Sequence, residues 1–473
     1  MDLAIIIVYF LVLVAIGTYV YRKRQASSND GFFVANRSGT TLFIVGSLCA
    51  TFIGSSVVVG MAGRGYNMGL PGAWWLLVGT VGLLITGFFL ARKIRRYGLY
   101  TLPELVEKQY GSMAGLATSI LVVVAWIAII AAQVLAAGKI LDVLLPLELS
   151  QLMAIAASVF VLYTVLGGQY SVIRTDLVQF GILTVGILIS LILVLVELDG
   201  FSGLHDGLAS LDLASEYYSF PLNADFGWYS LIVFLVLTGS TYVVGPDIYS
   251  RLFCARDESV ARKSALWAGV IAIPVAFIIV LIGMGAKVLY PDIPSEQAFP
   301  TVIDNLLPVG VAGLVAAAML AAIMSSADTV LLTTGTILTQ DIYRRFDPDM
   351  SERKSLILSR VFVVVLGVLA LLVALELKGI ISSLLLAYTV FTSGIVVPVV
   401  AGFYKEKLKV NSAGAIAGII GGGGTALAID RLTSAGWINV SHLELVGFGV
   451  CIILLFGVSW LTGKTGLLSR QGL

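Results

Sequence analysis

Long apolar segments recur along almost the whole chain. Each contains about 20 residues, the length that an α-helix needs to cross the hydrocarbon core of a bilayer. Within lipid the backbone must satisfy its own hydrogen bonds, and a helix does this inside a single segment. The pattern predicts an all-α polytopic membrane protein with thirteen transmembrane helices, numbered here in chain order: 3–21, 40–62, 72–91, 114–141, 149–167, 173–198, 227–245, 265–288, 311–338, 359–377, 380–404, 412–429 and 443–461.

The composition supports this class. Of all residues, 58% are hydrophobic and 12% are charged, whereas a soluble domain has about 25% charged residues. The formal net charge of +1 gives no indication of a nucleic-acid partner. Besides the lipid bilayer, no obligatory protein partner is inferred. With no organelle signal apparent, the cell (plasma) membrane is the expected location.

Several other functions are disfavoured by the residues that are missing from the apolar segments. The three cysteines lack a paired spacing, and both His205 and His442 fall in loops, so a disulfide framework or a buried histidine site is not expected. No His-Glu metal motif or buried Ser-Lys pair occurs, so the chain is not expected to be an enzyme. A transporter-like sensor is disfavoured because only about a dozen residues follow segment 13.

The basic residues predict an orientation. Cytoplasmic loops of membrane proteins carry an excess of Lys and Arg. With thirteen helices, 24 of the 29 Lys and Arg residues fall on one face, following segments 1, 3, 5, 7, 9, 11 and 13. The asymmetry predicts an outside N-terminus and an inside C-terminus.

Segment 9 carries more polar side chains than a structural membrane helix requires. Its middle contains Ser325, Ser326, Asp328 and Thr329. A carboxylate inside a membrane is costly unless it is paired, and oxygen ligands suit hard cations. The alternative is that the hydroxyls bond back to the helix backbone and allow close packing, which explains Asp328 poorly. The segment therefore predicts a cation site.

Two segments have glycine-containing polar interruptions at a five-helix offset. Segment 2 contains Gly54-Ser55-Ser56 at its middle, and segment 7 contains the stretch from Leu237 to Gly245. Paired interruptions in two halves point to a transporter site at the bilayer midplane, where unwound backbone provides carbonyls and amides. Taken singly, either segment could use Gly and Ser only for close packing. The pair favours a substrate site.

Asp176 lies about one turn inside the boundary of segment 6. Its spacing places it on one side of a helix with Thr175 and Gln179. It could share a cation or water path with Asp328, or it could cap the helix or pair with Arg174. Because Asp176 and Asp328 would also suit a proton path, a proton-coupled carrier or channel remains an alternative.

Several short motifs occur in a characteristic order and spacing, and together they resemble the sodium:solute symporter family over nearly the whole chain. The motifs are Thr101-Leu-Pro-Glu104, Tyr163-Thr-Val-Leu-Gly-Gly168, Thr175-Asp-Leu-Val-Gln179, Asp247-Ile-Tyr-Ser-Arg-Leu252 with Ala255-Arg-Asp257, and Ala322-Ile-Met-Ser-Ser326 leading to Gln340-Asp-Ile-Tyr343. The resemblance implies a LeuT-like fold in a single transporter domain, 1–473. It has two inverted repeats of five helices, 40–198 and 227–404, with one helix before them and two after.

The resemblance also implies a sodium-coupled symporter and assigns its cation sites. The family's common Na⁺ site maps onto the backbone carbonyls of Ala50, Ile53 and Ala322 and the hydroxyls of Ser325 and Ser326. A second site, present in some members, maps onto Asp176, Asp328 and Thr329. A carboxylate here stands where a serine can be found, so the site could hold a second sodium or a proton.

The family's solute pocket lies between segments 2, 3, 4, 7 and 11. Its candidate lining residues in this chain are uncharged: Ser55, Ser56, Trp74, Trp75, Gln133, Ser240, Tyr242, Thr389, Thr392 and Ser393. A sugar pocket is expected to show several Asn, Gln and Glu side chains, and these segments have few. The sequence therefore favours import of an amino acid or a monocarboxylate, with a sugar as the alternative.

Overall fold

The computed structural model describes residues 2–22, 28–54, 56–142, 145–377, 379–437 and 443–464. Over these residues the chain is helical, with one isolated bridge between Gly39 and Ala255 as its only strand-like pairing. The main helices are α1 (Asp2–Arg22), α2 (Thr41–Phe52), α3 (Ser56–Met68), α4 (Leu70–Tyr97), α5 (Leu102–Tyr110), α6 (Ser112–Asp142), α7 (Leu149–Glu197), α8 (Trp228–Cys254), α9 (Glu258–Leu289), α10 (Val311–Arg345), α11 (Glu352–Glu376), α12 (Ile380–Gly402), α13 (Ser412–Ser434) and α14 (Val446–Lys464). Shorter helices cover Asn29–Val34, Gly200–Ser210, Ala214–Tyr217, Ala298–Leu306 and Lys405–Leu408.

Ten of these helices are long and apolar enough to cross a membrane, and α2 with α3 makes an eleventh candidate that bends by 55°. The predicted all-helical membrane class is thus confirmed. Predicted segment 1 corresponds to α1, a 21-residue helix. Segments 5 and 6 both fall within α7.

Helix α7 turns back on itself at Gly168. This residue has φ 55° and ψ −168°, which lies outside the helical region and in the left-handed half that favours glycine. On either side of it, the Tyr163 hydroxyl lies 3.2 Å from Ser171 Oγ and also contacts the Thr175 hydroxyl. Twelve residues of a straight helix span about 18 Å, so the two halves of α7 must fold against each other. The gap between predicted segments 5 and 6 is therefore a sharp reversal at Gly168 inside α7.

Helix α10 occupies the centre of the protein. Within Val311–Ile337 only Val311 and Leu314 are not buried. Helix α11 differs, because Val361, Val365 and Leu372 form an exposed apolar stripe at helical spacing. Apolar surfaces thus face outward, as a lipid solvent allows, and the polar side chains of α10 are enclosed by protein.

Several helices begin earlier than the apolar pattern predicts. Helix α9 begins at Glu258 rather than 265, because the Asp257 carboxylate accepts a hydrogen bond of 2.8 Å from the Val260 N–H. Helix α11 begins at Glu352 rather than 359, behind Ser351 as N-cap. A polar first turn is invisible to hydropathy but satisfies the free N–H groups of a helix start. Thr101 is the N-cap of α5 in the same way, because its hydroxyl accepts a hydrogen bond from the Glu104 N–H at 3.1 Å.

Two interruptions place irregular backbone inside the protein. Helix α2 ends at Phe52, and the φ of −90° and ψ of 55° at the next residue, Ile53, lie outside the helical region. Helix α8 is interrupted at Gly245, with φ −53° and ψ 131°, and resumes at Pro246 to end at Cys254. The sequence placed an interruption in each of these stretches. It ended segment 7 at 245, because the resumed turn contains Asp247 and Arg251 and does not read as apolar.

Candidate functional site

The serine pair of α10 joins this helix to the broken end of α2. Ser325 Oγ donates to the Ala50 carbonyl at 2.7 Å and lies 2.9 Å from the Ala322 carbonyl. Ser326 Oγ lies 2.6 Å from the Thr51 carbonyl. Both serines are buried. Their hydroxyls therefore lie among backbone carbonyls that the end of α2 leaves available.

The close approach of α2 and α10 depends on Gly54. A Cβ at this position would lie 2.3 Å from Ser326 Oγ, closer than any ordinary contact. Ile53 is the C-cap residue of α2, one turn after Ala50. The structure thus brings Ala50, Ala322 and both serines into contact and places Ile53 at the adjoining break. Carbonyl and hydroxyl oxygens of this kind fit a hard cation such as Na⁺.

A buried ion pair lies next to the serine pair. The Arg251 guanidinium Nη2 lies 3.1 Å from Asp176 Oδ2, and its Nε donates to Ser47 Oγ at 3.0 Å. Arg251 Nη2 also contacts the Thr329 hydroxyl, and Ser47 donates to Asp176. All four side chains are fully buried. A buried pair of this kind is tolerated because each charge is compensated by the other and by further hydrogen bonds.

Arg251 is the residue that sequence reasoning missed in this cluster. It lies 75 residues from Asp176, and the sequence offered only its place in a family motif. The alternative partner, Arg174, donates instead to the Tyr170 carbonyl at 3.1 Å and lies over the Tyr170 ring. Arg251 therefore lies between two members of the predicted second cation site, Asp176 and Thr329.

Asp328, the third member of that site, is fully buried beside the cluster. Its Oδ1 is 3.5 Å from Thr329 Oγ1, and its Oδ2 has no hydrogen-bond partner among the residues that the structure describes. Two carboxylates, Asp176 and Asp328, thus accompany one guanidinium. An orphaned buried oxygen is costly in a low-dielectric interior, which marks it as a place where a cation or proton would be stabilising.

A cavity adjoins the serine pair, enclosed by α2, α3, α6, α8, α10 and α12. Three predicted solute residues, Ser56, Gln133 and Tyr242, line it. Other residues lining it include Thr51, Gly54, Trp126, Asp247, Ser326 and Tyr388. Ser55, also predicted, lies outside the described residues. Ser326 lines the cavity and also contacts α2, so the cavity and the serine pair share a wall.

The other predicted solute residues lie elsewhere. Trp75 packs behind the cavity, with its ring centroid 5.5 Å from that of Phe234 and 6.5 Å from that of Tyr388. Trp74 donates its indole N–H to the Pro221 carbonyl at 2.9 Å, in a loop. The two tryptophans are consecutive residues of α4, and their side chains have different partners.

Four predicted solute residues of α8 and α12 lie away from the cavity lining: Ser240, Thr389, Thr392 and Ser393. Ser240 donates to the Val236 carbonyl within α8. Thr389 donates to the Leu385 carbonyl at 2.7 Å and lines a separate depression beside α13. Thr392 donates to the Leu237 carbonyl at 2.9 Å, which ties α12 to α8. Ser393 faces α14, where a Cβ on Gly447 would lie 2.9 Å from its Oγ.

A charged side chain, Asp247, lines the cavity, although the sequence predicted an uncharged lining. It stands in the first turn after the Gly245 break, directly after Pro246. Asp247 is the first residue of one of the family motifs, so the sequence did single it out. Only the position of the helix break at Gly245 shows that this turn lines the cavity.

Comparison with known proteins decides the family. The family model for the sodium:solute symporter family matches residues 32–422. The chain belongs to this family. Its members are symporters rather than enzymes, and this symporter is a multi-pass membrane protein.

Curated relatives resemble the symporter over most of its length. Solute carrier family 5 member 4A of Mus musculus is 27% identical over 521 residues, covering 98% of this chain and 79% of that protein. The sodium/glucose cotransporter of Vibrio parahaemolyticus is 28% identical over 453 residues, covering 89% and 83%. The sodium/myo-inositol cotransporter of Homo sapiens is 27% identical over 430 residues, covering 80% and 59%.

A solved structure has the same fold. The substrate-bound outward-open state of a Na⁺-coupled sialic acid symporter superposes with a TM-score of 0.82 at 18% identity, covering 97% of this chain and 98% of that chain. At this identity the likeness concerns the fold alone. It supports the LeuT-like architecture that the motifs implied.

Proposed function

We propose that this symporter couples the entry of Na⁺ to the import of a small neutral sugar or polyol. The observation that carries the proposal is the shared wall at Ser326, which belongs both to the serine pair and to the cavity. A cation held there would fix the break of α2 against α10 and so shape the cavity for solute. Binding of one ligand then favours the conformation that binds the other.

The solute class follows from the cavity and from the relatives. Two relatives are named as sodium/glucose and sodium/myo-inositol cotransporters, which supports the sugar alternative over an amino acid or a monocarboxylate. Each predicted segment taken alone contains few side chains that could hydrogen-bond to a sugar. In the folded protein Gln133, Tyr242, Asp247 and Tyr388 line one cavity and offer several donors and acceptors.

Sodium is proposed to bind at the junction of α2 and α10. Its ligands would be the carbonyls of Ala50, Ile53 and Ala322 and the hydroxyls of Ser325 and Ser326. Moving one charge across 100 mV provides about 2.3 kcal/mol, and a tenfold Na⁺ gradient adds about 1.4 kcal/mol. One sodium could therefore drive a neutral solute to a gradient of several hundredfold.

A second cation, either Na⁺ or a proton, is proposed at Asp328. Arg251 already compensates Asp176, so the group of Asp176, Asp328 and Thr329 retains the charge of one carboxylate. A proton-coupled carrier remains the alternative to sodium coupling because of this carboxylate. Uptake that persists without Na⁺ but stops when the pH gradient is collapsed would support it.

The proposed topology has thirteen crossings, with the N-terminus outside and the C-terminus inside. The reversal of α7 at Gly168 supports two crossings within that helix. The repeats 40–198 and 227–404 remain the proposed division of the transporter domain. Each contains an interrupted helix near its beginning, at Ile53 and at Gly245.

Thermal stability of the purified symporter tests the sodium site without knowledge of the solute. A ligand that binds only the folded state stabilises it, by about 2.7 kcal/mol at a hundredfold excess over Kd. We expect Na⁺ to raise the Tm relative to K⁺ and choline, and Ser325→Ala with Ser326→Ala to abolish the rise. Ser158→Ala is the matched control, because Ser158 is exposed, lies far from α10 in the chain and donates its hydrogen bond to the Ala154 carbonyl of its own helix.

Uptake into proteoliposomes tests coupling. We expect an inward Na⁺ gradient to drive accumulation of D-glucose or myo-inositol, and the double serine variant to stop it. Equal stabilisation by Na⁺, K⁺ and choline, or equal uptake with and without Na⁺, would contradict the proposal.

A further inference from the structure

The charge of the solute cavity comes from one side chain. Among the described residues that line it, Asp247 is charged, and none is Lys, Arg or His. No basic nitrogen of the described residues lies within 4.0 Å of its carboxylate. The cavity is therefore a negatively charged, largely enclosed compartment that lies against the Na⁺ site.

The neighbouring arginine makes its ion pair with Asp176 and not with this carboxylate. Arg251 lies one turn further along the same helix, but its guanidinium nitrogens are engaged with Asp176, Ser47 and the hydroxyls of Ser250 and Thr329. The short helix Pro246–Cys254 thus has two charged residues with different surroundings. Asp247 lines the cavity, whereas the Arg251 guanidinium lies in the buried cluster with Asp176. Asp247 therefore has no ion-pair partner among the described residues.

Other polar groups of the cavity are also available to a ligand. The indole N–H of Trp126 and the hydroxyl of Thr51 are buried without a hydrogen-bond partner among the described residues. Tyr242 and Tyr388 add hydroxyls to the lining. A ligand that satisfies this set must donate to a carboxylate and accept from an indole N–H. Neighbouring hydroxyl groups of a sugar or polyol do both, whereas a carboxylate ligand only accepts.

We propose that Asp247 contacts the solute and selects neutral hydroxyl-bearing molecules over anionic ones. The inference rests on the proposed sugar or polyol uptake and adds the residue that sets its charge selectivity. A solute hydroxyl donates to the Asp247 carboxylate in a charge-assisted hydrogen bond. An anionic solute would place a second negative charge in the same enclosed space, where like charges repel strongly.

The size of the effect follows from the kind of bond. Loss of a hydrogen bond to a charged group lowers affinity by about 10- to 100-fold. We expect Asp247→Asn to raise the KM for D-glucose or myo-inositol by this factor. The amide keeps the size of the side chain but no longer repels an anion, so D-glucuronate should begin to compete for uptake in the variant.

The experiment uses the full-length symporter in proteoliposomes with an inward Na⁺ gradient. Uptake of labelled D-glucose and myo-inositol is measured in wild type, Asp247→Asn and Asp206→Asn. Unlabelled D-glucuronate and D-glucosamine serve as anionic and cationic competitors. Asp206 is the matched control, because its exposed carboxylate lies in a loop helix. Stabilisation by Na⁺ is recorded for each variant, and retained stabilisation shows that the variant is folded.

The outcomes separate this inference from the proposed function. Wild-type uptake that D-glucuronate does not inhibit, a raised KM in Asp247→Asn and an unchanged Asp206→Asn support the inference. Unchanged KM in a folded Asp247→Asn overturns it and leaves sugar uptake standing. If Asp247→Asn fails to fold, the competition experiment with the wild-type protein tests the inference. Inhibition of wild-type uptake by D-glucuronate that is as strong as inhibition by unlabelled D-glucose overturns the inference.

Two further results concern the solute itself. Stronger inhibition of uptake by D-glucosamine than by unlabelled D-glucose would show that the cavity prefers an ammonium group. That result would overturn the selection of neutral solutes. Absence of Na⁺-dependent uptake of both sugars in wild type would overturn the proposed solute class and, with it, this inference.

Discussion

At the scale of single residues, the Asp176–Arg251 pair shows how buried charges constrain the protein. Both side chains are fully buried, and their contacts reach α2 through Ser47 and α10 through Thr329. Removing charges from water costs free energy, so a buried ion pair adds little net stability to the folded protein. Removing one partner is nevertheless strongly destabilising, because the other charge then stays buried without compensation. Asp328 adds a second buried carboxylate to the same region, so two carboxylates accompany one guanidinium.

Removing one partner should therefore cost more than removing both. We expect Arg251→Gln to destabilise the symporter by about 3–5 kcal/mol, because it leaves Asp176 buried and unpaired. Adding Asp176→Asn to Arg251→Gln should restore part of that loss. Denaturation of the purified variants measures the double-mutant cycle.

The exposed pair Arg96–Glu258 offers a control for that cycle. Its arginine side chain is 73% exposed, so Arg96→Gln should leave stability unchanged. Additive effects of Arg251→Gln and Asp176→Asn would show that the two buried groups do not interact.

At the scale of elements, the broken helices decide which residues meet at the candidate site. Helices α2 and α8 are interrupted inside the protein, where the irregular backbone is enclosed rather than exposed to lipid. The end of α2 reaches the serine pair, and the resumed turn of α8 presents Asp247 to the cavity. The hydropathy pattern identified both helices. It could not show which side of the protein the residues after each break face.

The break of α2 tolerates no side chain at Gly54. We expect Gly54→Ala to abolish the Na⁺-dependent rise in Tm and to destabilise the protein by about 1–3 kcal/mol, because its Cβ would lie 2.3 Å from Ser326 Oγ. Gly424→Ala in α13 is the control, since its Cβ would meet nothing within 4 Å. A Na⁺ response that survives Gly54→Ala would show that α2 and α10 need not approach so closely.

At the scale of the whole molecule, the buried polar centre and the apolar exterior form one pattern. Helix α10 is enclosed almost throughout, while α11 exposes an apolar stripe. The basic residues lie mainly on one face of the predicted topology, which places them on the cytoplasmic side. This orientation is a prediction that labelling of the intact membrane can check.

Single cysteines at two loops test the orientation. In a background in which the three native cysteines are replaced, a membrane-impermeant thiol reagent should label Asp206→Cys in intact cells but not Lys407→Cys. Both positions should be labelled once the membrane is permeabilised, which controls for accessibility. Labelling of both positions, or of Lys407→Cys alone, in intact cells would contradict an outside N-terminus with thirteen crossings.

The sequence alone determined the class of this protein and the approximate spans of most helices, and it identified Ser325, Ser326, Asp176 and Asp328 as candidate site residues. These features are local, because lipid requires each helix to be apolar and to satisfy its own backbone, and a polar residue then stands out. Only the tertiary structure decided that Arg251 pairs with Asp176 and that Asp247 joins Gln133 and Tyr242 at one cavity. It also placed Thr389 and Ser393 away from that cavity. These relations depend on the rotation of packed helices and on the geometry of their breaks, which bring together residues that are distant in the chain.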